Sequence, residues 1–295
     1  MSEASPENEI EPPFVKICEV GPRDGLQNES RQIATHDKIA YIDLLSQSGL
    51  AMIETTSFVH PKAIPALADA HDVMSGITQK PGVTYLSLVP NAKGFARAQA
   101  AGVRAIAVFT GASESFVQHN IGMSIDESFA EFAPLIAQAR AEGMFVRGYL
   151  STAFGCPYEG DVPVERVLRL SERLCDFGID ELSIGDTIGV AHPDAVSDLT
   201  LRLQCHVPLE RLAMHFHDTQ HRALDNVAAA YAKGIRIFDS SSGGIGGCPY
   251  APGASGNVAT ERVLAYFATR NIATNVNSAL IEQATAFIQE RLAGK

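Results

Sequence analysis

His215 and His217, two residues apart, carry the sharpest chemical signal in the chain. On a β-strand, side chains at i and i+2 leave the same face, so both imidazoles would converge. Two convergent imidazoles are half of a metal site. The plainer alternative is a strand end with two hydrogen-bonded histidines. Asp24, in Gly21-Pro22-Arg23-Asp24-Gly25, would add a carboxylate if its strand lies close by. Two imidazoles with an Asp and an amide oxygen form a mixed nitrogen and oxygen donor set. Such a set suits Mg2+ or Mn2+, with Zn2+ and Co2+ also compatible. Arg23, next to Asp24, could stabilise a developing oxyanion. Its structural alternative is an ion pair with Glu54 or Glu19. Cys248 sits in a stretch with glycines at 243, 244, 246, 247, 253 and 256. Such a stretch reads as a mobile lid that could bring an acid or a nucleophile to a bound substrate. Its alternative is a small buried cysteine that merely packs. Cys156 repeats the Cys-Pro-Tyr triplet and is a weaker second candidate. Cys18, Cys175 and Cys205 read as inert residues within elements.

Positioning such groups requires strands. Eight short apolar, β-branched runs recur along the chain: 15–20, 51–55, 83–89, 105–109, 145–150, 181–184, 212–216 and 235–238. Their length and composition predict buried parallel strands. Stretches of helical period lie between them, as in Phe129, Phe132, Ile136 and Ala139. Gly49, Gly102, Gly143, Gly178 and Gly234 close helices before the next strand, where a left-handed residue is wanted. Eight strand–helix units predict a (β/α)8 TIM barrel, with 278–292 as an extra C-terminal helix. An open doubly wound sheet would want a GxGxxG turn after its first strand, and Gly21–Gly25 does not supply one. The unusual polar residues fall just after the apolar runs, where a barrel keeps its active site. Residues 1–13 read as a disordered tail, and 14–295 as one catalytic barrel domain.

Composition narrows the function. Lys and Arg total 23 against 34 Asp and Glu, a formal charge of -11. That balance argues against a nucleic-acid partner with a broad basic face. An anionic ligand would need local cations or a metal to hold it. Five cysteines without a CxxC pair argue for a reduced, cytoplasmic chain rather than a disulfide framework. No window reads as a membrane span.

Several segments carry a resemblance. VGPRDGLQNE (20–29), IETTSFVHPK (53–62), RGYLSTAFGCPYEG (147–160), LSIGDTIGV (182–190), HFHDT (215–219) and GGIGGCPYAPGASGNVATE (243–261) resemble the 3-hydroxy-3-methylglutaryl-CoA lyase family. The likeness runs from about residue 14 to 290. The Arg-Asp and HxH motifs are shared with related metal-dependent synthases, whereas PRDGLQNE and GGCPYAxGASGN point to the lyase branch. The resemblance implies a divalent cation, Mg2+ or Mn2+, on Asp24, His215, His217 and Asn257. It implies that Arg23 contacts the thioester side of the substrate and that Cys248 is a general acid. Glu54 and Asp186 fall on functional acidic positions. The implied reaction is a retro-Claisen cleavage of (S)-3-hydroxy-3-methylglutaryl-CoA to acetyl-CoA and acetoacetate, by analogy within leucine breakdown. Asp24 and Asp186 are both candidates for the base. Lys93 and Arg97 are candidates for the CoA phosphates, and a homo-oligomer is expected. Two other readings stay open: a lyase for a longer branched 3-hydroxyglutaryl-CoA, and a non-catalytic acyl-CoA-binding barrel. A condensing synthase is disfavoured, because one barrel fills the sequence.

Overall fold

The computed structural model describes residues 14–246 and 256–294. The expected tail, 1–13, lies outside them. Eight strands form one closed parallel barrel in sequence order. They are β1 (Lys16–Glu19), β2 (Met52–Ser57), β3 (Thr84–Leu88), β4 (Ala105–Gly111), β5 (Phe145–Ser151), β6 (Glu181–Asp186), β7 (Leu212–Phe216) and β8 (Ile237–Ser240). Each falls on one of the apolar runs. Closure comes from β8 pairing with β1, Lys16 opposite Ile237 and Glu19 opposite Ser240.

Ten α-helices follow in chain order: α1 (Thr35–Leu45), α2 (Ala70–Gly76), α3 (Ala92–Ala100), α4 (Glu114–Ile121), α5 (Ile125–Ala141), α6 (Val164–Asp176), α7 (Pro193–Leu203), α8 (Ala223–Ala232), α9 (Thr260–Ala268) and α10 (Ser278–Ala293). The five glycines expected to end helices all have positive φ, between 71° and 103°. No L side chain enters that region at low cost, so these turns need glycine. The helix α5 starts at a capping box, in which Ser124 accepts from Glu127 N–H and the Glu127 carboxylate accepts from Ser124 N–H. The expected extra helix is α10. It lays Ile281, Ala284 and Ile288, all fully buried, against α1 and the loop after β8. Each isoleucine removed from water contributes roughly 2 kcal/mol to that docking.

The main apolar core lies between strands and helices. A second, smaller cluster contains Cys18, Met52, Leu86, Ala105 and Ala107 from β1 to β4. These residues fill one half of the barrel interior. The other half, from β5 to β8, is polar: Arg147, Glu181, Ser183 and Asp239 are all buried there. Buried charge also enters on the other half, at Glu19 on β1 and Glu54 on β2. Among the described residues no helix is long and apolar enough to cross a membrane.

Candidate active site

The chain leaves β1 through a single π-helical turn, Gly21–Gly25. The Val20 carbonyl accepts from Arg23, Asp24 and Gly25 N–H together. This tight turn sets Arg23 and Asp24 at the mouth of the barrel. Gly25 is needed for close approach, since a Cβ there would lie 2.7 Å from Ile245 Cγ1. Across the mouth, β7 delivers His215 and the residue just past its end, His217. Their ring centroids are 5.1 Å apart. One ligand atom each from Asp24, His215 and His217 falls within 4.8 Å of the others.

The protonation states of Asp24 and His217 suit a cation, whereas for His215 burial pulls down but Asp239 and Asp24 outweigh it and raise it. Burial raises the Asp24 carboxyl, but Arg23, His215 and His217 outweigh it and hold it down at about 2. Burial and the neighbouring His215 push His217 down to about 4. At neutral pH one is therefore a carboxylate and the other a neutral imidazole, the forms that bind metal. His217 Nδ1 is buried with no hydrogen-bond partner among the described residues. An orphaned buried nitrogen in such a cluster is what a metal ligand looks like without its ion. The donor set of one carboxylate and two imidazoles fits a divalent cation. Asn257 faces His217 in an antiparallel bridge, and its Nδ2 donates to Asp24 Oδ2 at 2.9 Å.

Arg23 forks between two carboxylates. Nη1 donates to Asp24 Oδ1 and Nη2 pairs with Glu54 Oε2, each at 2.7 Å. Its Nε has no hydrogen-bond partner among the described residues. Glu54, fully buried on β2, is raised by burial against the pull of Arg23. Of the two partners expected for Arg23 as a structural residue, Glu54 is the one it takes. Glu19 instead accepts from Gly21 N–H, Ser242 N–H and Thr260 Oγ1.

A cavity of about 600 Å³ opens above these groups. Arg23, Asp24, His215 and His217 line it on one side, and Leu88, Phe109 and Phe116 on another. A polar floor beside an apolar wall suits a ligand with a charged head and a long, largely apolar arm.

Asp186 ends β6. Its two oxygens accept from Val190 N–H at 2.9 Å and Ala191 N–H at 3.0 Å. Burial raises it to about 6, even against those hydrogen bonds. Asp186 pairs in register with Phe216, between the two histidines. Lys93 is exposed on α3, and Arg97 donates to the Phe58 and Val59 carbonyls. Neither lines the cavity. Cys156 is buried away from the cavity, its Sγ 2.9 Å from Ser113 Oγ. Cys205, expected within an element, is exposed just beyond α7 because that helix ends at Leu203. Cys248 lies outside the described residues.

The family model described as HMGL-like matches residues 14–288. This chain belongs to the HMGL-like family. A Bacillus subtilis member, named hydroxymethylglutaryl-CoA lyase, is 50% identical over 95% of this chain and 94% of its own. The solved B. subtilis HMG-CoA lyase structure superposes with a TM-score of 0.94, covering 96% of this chain and 95% of that one. A Pseudomonas aeruginosa member, named 3-hydroxy-3-isohexenylglutaryl-CoA/hydroxy-methylglutaryl-CoA lyase, is 51% identical over 86% of this chain and 84% of its own. These relatives all carry hydroxymethylglutaryl-CoA lyase in their names, the P. aeruginosa member beside a longer substrate, which supports the shorter substrate over the longer. An HMG-CoA lyase from Acinetobacter baumannii, solved with coenzyme A and 3-methylmalate, is 37% identical with a TM-score of 0.91, covering 95% and 92%.

Sequence reasoning about this HMGL-like chain missed Asp239 and Arg147. Both lie inside strands, below the mouth where the strand-end rule directs attention. The available signal was an arginine interrupting the apolar start of β5, Phe145-Val146-Arg147-Gly148. A buried charge at such a position needs partners, and here it has them.

Proposed function

We propose that this chain cleaves (S)-3-hydroxy-3-methylglutaryl-CoA to acetyl-CoA and acetoacetate. In this reading Asp24, His215, His217 and Asn257 hold a divalent cation, Mg2+ or Mn2+. One observation carries the reading: a carboxylate and two imidazoles converge at the mouth of the barrel beside a buried arginine. A bound divalent cation would supply Lewis-acid polarisation of the substrate's oxygens. A base must remove the C3 hydroxyl proton. Asp24, held at about 2 and already accepting from Arg23 and Asn257, retains a proton poorly. Asp186, near 6, retains one better, but it does not line the cavity and its two oxygens accept from Val190 and Ala191 N–H. Both carboxylates therefore stand as candidates for the base, Asp24 by position and Asp186 by basicity. The C2–C3 bond then breaks, acetoacetate leaves, and the electron pair passes to the thioester enolate. Arg23, charged and with Nε unpaired, stabilises that oxyanion. Cys248 returns a proton to C2 and completes acetyl-CoA. Lys93 is the proposed contact for the CoA phosphates. The cytoplasm is the proposed compartment, and all four described cysteines are free thiols. A homo-oligomer is the proposed assembly.

A coupled assay for acetyl-CoA release tests this reading, run with Mg2+ or EDTA on wild type, Cys248→Ala and Asp186→Asn. The expected result is release that needs the metal and falls steeply in Cys248→Ala, and a like fall in Asp186→Asn gives the base to Asp186. Lys93→Ala should raise KM at low salt and leave kcat alone. Release unaffected by EDTA would sink the metal assignment. Turnover of only a longer branched 3-hydroxyglutaryl-CoA would move the substrate and keep the site.

A further inference from the structure

Beneath the mouth, Asp239 on β8 is fully buried and meets three other strands. Arg147 on β5 donates to it twice, Nη2 to Oδ1 at 2.7 Å and Nη1 to Oδ2 at 3.2 Å. Ser183 on β6 donates to Oδ2 at 2.8 Å. On β7, His215 Nδ1 stands 3.3 Å from the same Oδ2. The register favours this contact, because His215 and Asp239 are direct partners across β7 and β8 and leave the same face of the sheet. Arg147 is anchored in turn, its Nε donating to Glu181 Oε1 at 2.7 Å, and Lys16 pairs with Glu181 Oε2 at 2.8 Å. Arg147 also donates to the Tyr149 hydroxyl at 2.8 Å.

We propose that Asp239, clamped by Arg147 and Ser183, is a positioning residue that fixes the His215 tautomer for cation binding. A neutral imidazole that donates from Nδ1 carries its lone pair on Nε2. The carboxylate accepts that Nδ1–H and leaves Nε2 for the cluster with Asp24 and His217. Arg147 matters because a lone buried carboxylate could rotate or take a proton. Its two-pronged contact fixes both oxygens and compensates their charge. The two histidines therefore differ. His215 has its tautomer set by Asp239, whereas His217 Nδ1 has no partner among the described residues to set one. Partners of this kind change metal affinity by about 10–100-fold when removed.

This inference rests on the cluster taking a divalent cation, and the tests separate the two. The first uses metal-free wild type and needs no variant. Imidazole 15N shifts, recorded in mildly alkaline solution because Asp239 and Asp24 raise His215 against burial, should show it as a single Nδ1–H tautomer. An Nε2–H tautomer at His215 would overturn the proposal. The second measures Mn2+ binding by titration calorimetry, with circular dichroism confirming the fold. Asp239→Asn should weaken Mn2+ binding about 10–100-fold. Ser183→Ala, which keeps the carboxylate and is less disruptive, should weaken it by a smaller factor in the same direction. Wild-type affinity in a folded Asp239→Asn protein, or in Ser183→Ala should the former not fold, would also overturn it. Wild type that binds no Mn2+ at all would remove the metal reading itself.

Discussion

At the scale of single residues, Arg23 is the group whose loss is easiest to read. It lines the cavity, pairs with Glu54 and Asp24, and keeps one donor unused. Arg23→Met should lower kcat about 10²-fold or more, the usual cost of one oxyanion donor. KM should change far less, because the charge it stabilises develops only as the bond breaks. Steady-state kinetics on the folded variant checks this, and near-normal kcat would end the assignment. The ion pairs of Arg23 show why sequence alone left its role open. Chain position puts Glu19 and Glu54 equally near, on adjacent strands. Only the packed structure shows that Glu19 faces the opposite loop and is taken by Ser242 and Thr260. Asp239 was invisible for a related reason. It lies inside β8, below the mouth, and its importance comes from contacts with three strands distant in sequence.

At the scale of elements, Glu19 links three of them: the turn after β1, the loop after β8, and the start of α9. Burial raises its carboxyl from an ordinary 4.5 to about 7, although three donors pull the other way. A group whose folded pKa lies above its unfolded value stabilises the fold while protonated. That contribution is whole below about pH 4.5 and is lost as pH rises to about 7. A shift of this size corresponds to on the order of 3 kcal/mol. Glutamine does not titrate. The stability of Glu19→Gln minus that of wild type should therefore climb between pH 4.5 and 7 and then level off. Other groups titrate in this window, His217 in the opposite sense, and the difference curve cancels them. Urea unfolding at a series of pH values would show it, and two parallel curves would mean that Glu19 stays charged. Neighbouring Tyr41, hydrogen-bonded to Ser242, belongs to the same junction.

At the scale of the whole molecule, the barrel was legible because its elements are locally determined. A buried parallel strand needs an unbroken apolar run, and a helix end before a short turn needs a left-handed residue. Both are properties of neighbouring residues, and all eight runs and five glycines behaved as read. The Asp24–His215–His217 cluster was half legible. HxH on a strand fixes its own geometry, and the barrel order brings Asp24 close, with β1 and β7 separated only by β8. Lys93 and Arg97 show where this reasoning stops. A cation after a strand can reach either the cavity or the nearest free carbonyls, and Arg97 takes the carbonyls of Phe58 and Val59.

The closure of β8 on β1 has a consequence for how the protein is made. The ribosome releases Asp24 early and His215, His217 and Asn257 late. At about 5–20 residues per second, Asp24 waits on the order of ten to forty seconds for its partners. Until β8 emerges, the barrel has two raw edges, open to pairing with other nascent chains. No product that ends before residue 217 can assemble the cluster. Under the proposed cation assignment, capture comes only after residue 257 has emerged. A chain arrested before residue 215 should bind no more Mn2+ than an unfolded peptide, and full-length binding by such a fragment would contradict this order of events.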